Sequence, residues 1–332
     1  MAKKEPLVAV IITNYNGASV LYKSKSILWH CFSSVAKTNY KNYKVFFGDD
    51  SSTDNSVEYV KKSFPKTDII INKPNGGYTR CSNTTIKHSL KEYDPDYIVT
   101  LNNDIIISDR NWLRKLVDVA ESKKEIGIVG CKFLYPDGRL QHAGVEDTYV
   151  MLRCRGWNTH DADKYNEIEE VPAVGMVVCI VKRAVIDKIG LLDENFYQGS
   201  DDLDFCVRAR KKGFKVMYDG QLSIIHLEGY TAKALTSTSS NKDFWYTILQ
   251  INFVYSSFKR LGTKGRIHAL AITLVSAFIG IGNRQMTISN IQFKTRPVWR
   301  LKETMKAIWI GYRLYKGAIN RDQAYGPYLK RG

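Results

Sequence analysis

Residues 7–17 read LVAVIITNYNG and residues 44–54 read KVFFGDDSSTD. Each is a short apolar run that breaks off into polar residues, Thr13-Asn14-Tyr15-Asn16-Gly17 after the first and Asp49-Asp50-Ser51-Ser52-Thr53-Asp54 after the second. Near-continuous apolar character, rather than alternation, marks a strand covered on both faces. The pattern recurs in DIIIN (68–72), DYIVTL (96–101) and IGIVG (126–130), with helix-like segments between, at roughly 20–37, 54–63, 78–91 and 110–124. Strands alternating with helices predict a mostly parallel central sheet flanked by helices, so the fold class is α/β.

Downstream the texture changes. Tyr135-Pro136-Asp137-Gly138 reads as a turn, VPAVGMVVCIV (171–181) as another buried strand, Arg183–Ile189 as a short helix and 201–212 as a polar helix. No linker-like stretch intervenes, so 1–241 is expected to be one domain, and the pattern from 242 to 332 is helical.

With 332 residues, 44% hydrophobic and 25% charged, the chain can bury a sizeable core, and disordered, collagenous and low-complexity classes are excluded. Lys and Arg number 49 against 33 Asp and Glu, a net charge of +16. The excess is concentrated: residues 242–332 carry 16 basic and 3 acidic side chains, net +13, which leaves +3 for the rest. A near-neutral body with a basic C-terminal region points to a negatively charged partner, a membrane surface or a nucleic acid. Six cysteines (31, 81, 131, 154, 179 and 206) form no CxxC and no Cys/His cluster, which argues against structural zinc and fits a reducing compartment. MAKKEPLVAVII (1–12) reads as a first buried strand rather than a signal segment, and a cytoplasmic protein is expected.

Two C-terminal stretches bear on the membrane. Between Arg266 and Arg284 lie 17 uncharged residues, short of the ~20 a spanning helix needs; a buried or membrane-dipping helix is expected. Over 298–319, helical spacing puts Val298, Leu301, Met305, Ile308, Trp309, Tyr312 and Ile319 on one face, flanked by Lys302, Lys306 and Arg313. That is the composition of an interfacial helix, and equally of a helix packed by its apolar face with a solvated basic side.

Open α/β sheets bind ligands at strand ends, where four polar clusters stand in order: Thr13–Gly17, Asp49–Asp54, Asn102-Asn103-Asp104 and Asp201-Asp202-Leu203-Asp204. Singly each has a structural explanation as a helix N-cap, an Asx turn or acidic residues at a helix N-terminus. Neither GxGxxG after a strand nor GxxxxGK[ST] occurs, which argues against a dinucleotide-dependent dehydrogenase and a P-loop NTPase.

In order and spacing, VAVIITNYNG (8–17), FGDDSSTDNS (47–56), NGGY (75–78), LNNDI (101–105), GRLQHAGV (138–145), VGMVVCIVKRAVIDKIGLLDENFY (174–197), DDLDFCVRARKKGF (201–214) and IIHLEG (224–229) resemble the inverting family 2 glycosyltransferases, over roughly residues 5–260. The resemblance extends to cell-surface glycan and rhamnosyl-type transferases. It implies a GT-A fold with a nucleotide-binding half (about 1–130) and an acceptor half (about 131–241), followed by a helical basic extension. It also implies transfer of a sugar from a UDP-, dTDP- or GDP-linked donor to a hydroxyl of a glycan or lipid-linked acceptor. Thr13, Asn14, Tyr15, Asp50, Asn75, Gly76 and Asn103 correspond to nucleotide-binding positions, with Asp50 at a strand end placed for hydrogen bonds to a base. Asp104 closes the position of the DxD metal motif, whose first carboxylate is an amide here, and His226 corresponds to the histidine that completes a Mg²⁺ or Mn²⁺ site. Asp202 is the implied general base, with Asp201 binding the acceptor or positioning the base, and Gly175 lies where the donor sugar meets the sheet; close packing explains that glycine equally well. His142 receives no role.

The +13 region suits the cytoplasmic face of an anionic bilayer. Two other readings are a sugar nucleotidyltransferase on a related fold, for which TNYNG lacks a basic phosphate-binding signature, and a nucleic-acid-binding protein, for which no motif is present. No nucleic-acid partner is expected.

Overall fold

The computed structural model describes residues 5–148, 151–160, 162–228, 239–279 and 297–329. In chain order its elements are β1 (Val8–Asn14), β2 (Leu21–Tyr22), β3 (Lys25–Ser26), α1 (Ile27–Val35), β4 (Tyr43–Asp49), α2 (Ser56–Ser63), β5 (Asp68–Ile71), α3 (Gly77–Tyr93), β6 (Tyr97–Asn102), β7 (Ile105–Ile106) and α4 (Trp112–Glu121). They continue with β8 (Ile126–Leu134), β9 (Leu140–His142), β10 (Val145–Thr148), β11 (Met151–Cys154), β12 (Ile168–Glu170), β13 (Val178–Lys182), α5 (Arg183–Ile189), α6 (Asp201–Lys211) and β14 (Lys215–His226). The C-terminal helices are α7 (Ser239–Arg260), α8 (Thr263–Ile279), α9 (Pro297–Tyr315) and α10 (Arg321–Leu329).

The central sheet runs β12-β14-β8-β13-β6-β1-β4-β5, with β7 and β9 added to β14 and β8. Strands β5, β4, β1 and β6 are mutually parallel, β13 is antiparallel between β6 and β8, and β8 and β14 are again parallel. The sheet is therefore mostly parallel. Side chains of β1 alternate between its two faces: Val8, Val10 and Ile12 join the core under α1, α2 and α4, whereas Ala9 and Ile11 join the core under α3, α5 and α6. The inference of burial on both faces holds for β1, β6 and β8 but not for DIIIN, which forms the edge strand β5 and leaves Ile71 exposed.

Two expectations fail locally. The helix read over 20–37 begins at Ile27, because Lys23 and Ser24 at positive φ turn a two-residue hairpin between β2 and β3. The strand read over 171–181 begins at Val178. Residues 171–177 are apolar because Val171, Ala173, Val174 and Met176 pack into the core beside α5 and α6, while their backbone runs as a loop to the strand-end edge of the sheet.

The C-terminal helices pack on one another, and α7, α9 and α10 share a core with Phe196 and Tyr197, which precede α6. Along α8 the inward positions are small: Gly265, Ala269, Thr273 and Ala277. No described helix is long and apolar enough to cross a membrane. Residues 280–283 of the uncharged run, Gly229 of the 224–229 motif and Asp161 lie outside the described residues.

Candidate active site

Strands β1, β4, β5 and β6 all end at one edge of the sheet, so the polar residues that follow them meet there. Asn14, the last residue of β1, is buried and donates from Nδ2 to Asp49 Oδ2 (2.9 Å) and Ser52 Oγ (3.1 Å), while its Oδ1 accepts from Asn103 Nδ2 (2.6 Å). Asn16 Oδ1 takes the Thr53 amide (2.7 Å), and Ser52 Oγ takes the Asn16 amide (2.8 Å). The loops after β1 and β4 are thus braced across each other, which explains their polar composition without a ligand. Thr13 Oγ1 lies 2.9 Å from Ser82 Oγ, and Tyr15 is exposed at the rim.

Asp50 is buried, and its carboxylate faces inward. Oδ1 accepts from the Gly76 amide (2.8 Å) and Asn72 Nδ2 (2.5 Å), and Oδ2 from the Gly77 amide (2.7 Å). It is the anion at the N-terminus of α3, where free amides and the helix dipole favour negative charge. Of its about four acceptor positions, three are filled from within the chain. Burial raises its pKa, and the amides of Gly76 and Gly77 with Asn72 oppose that rise. Asn75 is tied in by Nδ2 to the Asp50 carbonyl (2.9 Å). Gly77 has φ +71°, and a Cβ there would lie 2.8 Å from Tyr197, so this turn requires glycine.

Asp104 and His226 are brought together by strand pairing: β7 runs antiparallel to β14 with Ile105 opposite His226. Asp104 Oδ1 and His226 Nε2 lie 3.1 Å apart, and both residues are buried. Burial works to lower the His226 pKa, but the Asp104 carboxylate outweighs it and the net shift is upward. A carboxylate oxygen and an imidazole nitrogen suit a divalent cation such as Mn²⁺, and two cis ligands at bond lengths of about 2.1 Å sit about 3 Å apart. The pair fits as two corners of a coordination sphere. No cluster of three His, Cys, Asp or Glu suited to a metal occurs among the described residues, so further ligands would come from elsewhere.

Gln141 and His142 on β9 have roles that the sequence reading missed. Gln141 Oε1 lies 2.7 Å from His226 Nδ1, and its Nε2 donates to Glu228 Oε2 (2.6 Å). That fixes the amide so that Oε1 accepts from Nδ1–H and Nε2 of His226 points at Asp104, the arrangement by which an outer residue orients a metal-binding imidazole. His142 stacks on Phe133 with ring centroids 5.1 Å apart, and its Nε2 accepts from the Gly175 amide (3.1 Å). Burial, with Arg155 and His226 nearby, pushes its pKa down to about 3, so it remains a neutral acceptor. Two adjacent polar residues in a three-residue buried strand were the available signal.

Gly175 faces the acidic pair: a Cβ there would lie 3.8 Å from Asp202 Oδ2 and 3.8 Å from His142 Cε1. Asp201 and Asp202 open α6. Asp201 is buried and Asp202 partly exposed. Burial raises both pKa values, and the neighbouring Asp202 charge raises that of Asp201 further, whereas Asp202 is held back by backbone amides of Leu203, Asp202 and Met176. The pair titrates as a unit and holds a proton above the ordinary carboxylate range. Asp204 braces the loop through Arg208 (2.8 Å) and Lys259 (2.6 Å).

The candidate residues therefore form a continuous rim. Asp50 and Asn75 adjoin Asn14, Asn14 bonds Asn103 beside Asp104, Asp104 meets His226, and Phe133, in contact with both His226 and His142, leads to Gly175 and Asp202.

A model of the family Glycosyl transferase family 2 matches residues 9–188. The O-antigen biosynthesis protein RfbC of Myxococcus xanthus is 28% identical over 191 residues, covering 53% of this chain and 14% of that protein. The O-antigen chain rhamnosyltransferase WbaN of Salmonella anatum is 20% identical over 324 residues, 94% of this chain and 90% of that protein. The chain spans 14% and 24% of the lengths of two of the curated relatives it matches. Among solved structures, mannosyltransferase PcManGT from Pyrobaculum calidifontis, in complex with GDP-Man and Mn²⁺, superposes with a TM-score of 0.51 at 15% identity, covering 98% of this chain and 82% of that one. At that identity the likeness bears on the fold, which is of the GT-A type.

Proposed function

The chain belongs to glycosyl transferase family 2, and we propose that it moves a sugar, with inversion, from a nucleotide-diphosphate donor to a hydroxyl of a glycan or lipid-linked acceptor. The observation that carries this reading is the single rim on which a cation-compatible pair, Asp104 and His226, is joined through Phe133 and His142 to a partly exposed carboxylate, Asp202. The complex of PcManGT with GDP-Man and Mn²⁺ supports a nucleotide-sugar donor and a divalent ion, Mg²⁺ or Mn²⁺. The O-antigen relatives support a surface-glycan acceptor.

Thr13, Asn14, Tyr15, Asn75, Gly76 and Asn103 line the nucleotide side. Asp50 acts there through the turn that it holds, with one acceptor position left for the base. Asp104 and His226 would hold the cation, which when bound supplies Lewis-acid stabilisation of the leaving diphosphate. Gly175, without a Cβ and pinned by His142, lets the sugar lie against the loop. Asp202 takes the proton of the acceptor hydroxyl as that oxygen attacks the anomeric carbon opposite the diphosphate. Asp201, the more deeply buried of the two, keeps its neighbour oriented, and a proton shared by the pair keeps its charge single. Assay of diphosphate release from UDP-, dTDP- and GDP-sugars with Mn²⁺ tests the reading: acceptor-stimulated release from one donor is expected, and release from none of them contradicts it.

We also propose that the chain attaches peripherally to the cytoplasmic face of an anionic membrane. On α9 it is the apolar and basic side that faces solvent: Val298 is 80% exposed, Met305 53%, Trp309 57% and Tyr312 43%, with Lys302 and Lys306 among them. Arg300, Glu303, Thr304, Ala307 and Leu314 face inward. Of the seven residues read onto the apolar face, Val298, Met305, Trp309 and Tyr312 are exposed, whereas Leu301 and Ile308 are half-buried and Ile319 packs against the core of α7, α9 and α10. On α8, which packs against α9, Ile267 (61%) and Val275 (54%) are exposed as well, and exposed apolar side chains beside lysines are the composition of an interfacial surface. Each lysine near an anionic surface contributes about 1 kcal/mol, about fivefold in affinity. Lys302→Ala is expected to weaken sedimentation with phosphatidylglycerol-containing vesicles by about fivefold (~1 kcal/mol), and Trp309→Glu to do at least as much; Lys306 is left in place because it pairs with the buried Glu303 (2.6 Å). Undiminished binding by both variants contradicts the attachment.

A further inference from the structure

The Asn75-Gly76-Gly77 turn is gripped from two sides. Asp50 takes the amides of Gly76 and Gly77. From the other side Arg321, the first residue of α10, donates from Nη2 to the Gly76 carbonyl across 245 positions of sequence. Its guanidinium lies over the Tyr197 ring, 5.2 Å from the centroid, and the Tyr197 hydroxyl donates to Asn75 Oδ1 (3.2 Å). Arg321 is 4% exposed, and its Nε has no hydrogen-bond partner among the described residues. Burying a cation with an unfilled donor costs stability, so an arginine chosen only for packing would be a poor choice at this position.

Its placement is built into the helix. Asn320 and Gln323 exchange side-chain-to-backbone hydrogen bonds, each 2.9 Å, which is the capping-box arrangement and fixes where α10 starts. The next turn of α10 continues the brace. Tyr325 Oη lies 2.8 Å from Asn252 Oδ1 and 2.9 Å from the Asn195 carbonyl, and Asn252 Nδ2 donates to the carbonyls of Gln198 (2.7 Å) and Gly199 (3.0 Å), just before Asp201.

We propose that Arg321 is a positioning residue for nucleotide binding: through the Gly76 carbonyl and the Tyr197 ring it holds the Asn75-Gly76-Gly77 turn in its binding shape, so that the C-terminal helices complete the nucleotide site. A glycine-rich turn left unbraced loses backbone freedom when a ligand settles on it, and a turn ordered in advance spares the ligand that cost. Asn252 holds the other loop in the same way, which separates the two effects by residue. The inference rests on the nucleotide reading of this turn given above.

The test uses the full chain, with UDP and GDP in the presence of Mn²⁺ as probes, calorimetry for affinity and amide hydrogen exchange for local order. Arg321→Met keeps the length and removes the donors; it is expected to raise the Kd of whichever diphosphate the unaltered chain binds by about tenfold or more. It should also speed exchange at residues 75–80 and leave 198–203 unchanged. Arg321→Lys, which keeps one charged donor, is expected to recover part of the affinity. Asn252→Ala should speed exchange at 198–203 and leave the Kd within about twofold. A diphosphate bound equally well by the unaltered chain and Arg321→Met overturns the positioning role alone. Exchange raised throughout the sheet in Arg321→Met also overturns it, by showing a general loss of packing. An unaltered chain that binds neither diphosphate overturns the nucleotide reading, and this inference with it.

Discussion

Replacing Asp202 by Asn is expected to lower sugar transfer by about a hundredfold to ten-thousandfold, the range for losing a general base, while leaving nucleotide affinity within about twofold. The two readouts separate because Asp202 faces Gly175, whereas the 75–77 turn proposed to meet the nucleotide is held by Asp50 and Arg321. The fold should tolerate the change. Asn is close to isosteric, the Leu203 amide keeps an oxygen to donate to (2.8 Å), and one of two adjacent, mutually repelling carboxylates is removed. The sign of the pH effect follows from the raised pKa values of the pair. A folded state that holds its proton more tightly than the unfolded chain is favoured at low pH and loses that advantage as the pH rises through the folded values. The unaltered chain therefore becomes relatively less stable, and more active, as the pair ionises. Asp202→Asn should lose part of that destabilisation together with the rising limb of the rate profile. Lost nucleotide binding, or retained transfer, would remove Asp202 from its role.

Asp104→Ala is expected to abolish the enhancement of nucleotide binding by Mn²⁺, with a loss of roughly a hundredfold or more. Removing a residue that only orients a ligand already costs ten- to a hundredfold, and Gln141→Ala, which frees the His226 ring, should fall within that smaller range. The variant leaves no buried unpaired charge, because His226 without Asp104 can become neutral, so it should remain folded. His226→Ala is the harsher change structurally, since it strands the buried Asp104 carboxylate. Affinity in the absence of metal should be nearly the same for Asp104→Ala and the unaltered chain. A variant that keeps its full response to Mn²⁺ would contradict the assignment.

The parts of the fold legible in the sequence were those in which burial imposes a continuous apolar run. Strands β1, β4 and β6 sit in the middle of the sheet with helices on both faces, and their sequences show it. The run at 171–181 misled for the same reason: Val171 to Met176 are buried without being strand, and burial alone does not distinguish a packed loop from a ladder. The rim was legible where polar residues coincide with strand ends, as at Asn14 and Asp104; the cluster at Asp201-Asp202, read onto a strand end as well, instead opens α6, because α5 and a loop follow β13. The rim was not legible where contacts span long separations. Gln141 behind His226, His142 behind Gly175 and Arg321 behind Gly76 lie 85, 33 and 245 positions from their partners, and no local pattern reports such a pairing. Asp50 shows the converse: its position at a strand end was legible, but its use as the anion that caps α3 depends on where the 75–77 turn folds back. In α9 the spacing placed Trp309 and Tyr312 correctly on a face with the lysines beside it, and only the packing of Ala307, Gly311 and Leu314 inward decided which face meets solvent.

A nucleotide-diphosphate site that is completed by a divalent cation, with Asp104 and His226 as ligands, binds its diphosphate tightly only when the metal is present. Calorimetric titration of UDP, GDP and dTDP into the unaltered chain and into Asp104→Ala, each with and without Mn²⁺, tests it most directly. One diphosphate should bind the unaltered chain much more tightly with Mn²⁺ than without, and Asp104→Ala should show the weaker affinity in both conditions. Equal affinity with and without Mn²⁺ in the unaltered chain, or binding of none of the three, would contradict it.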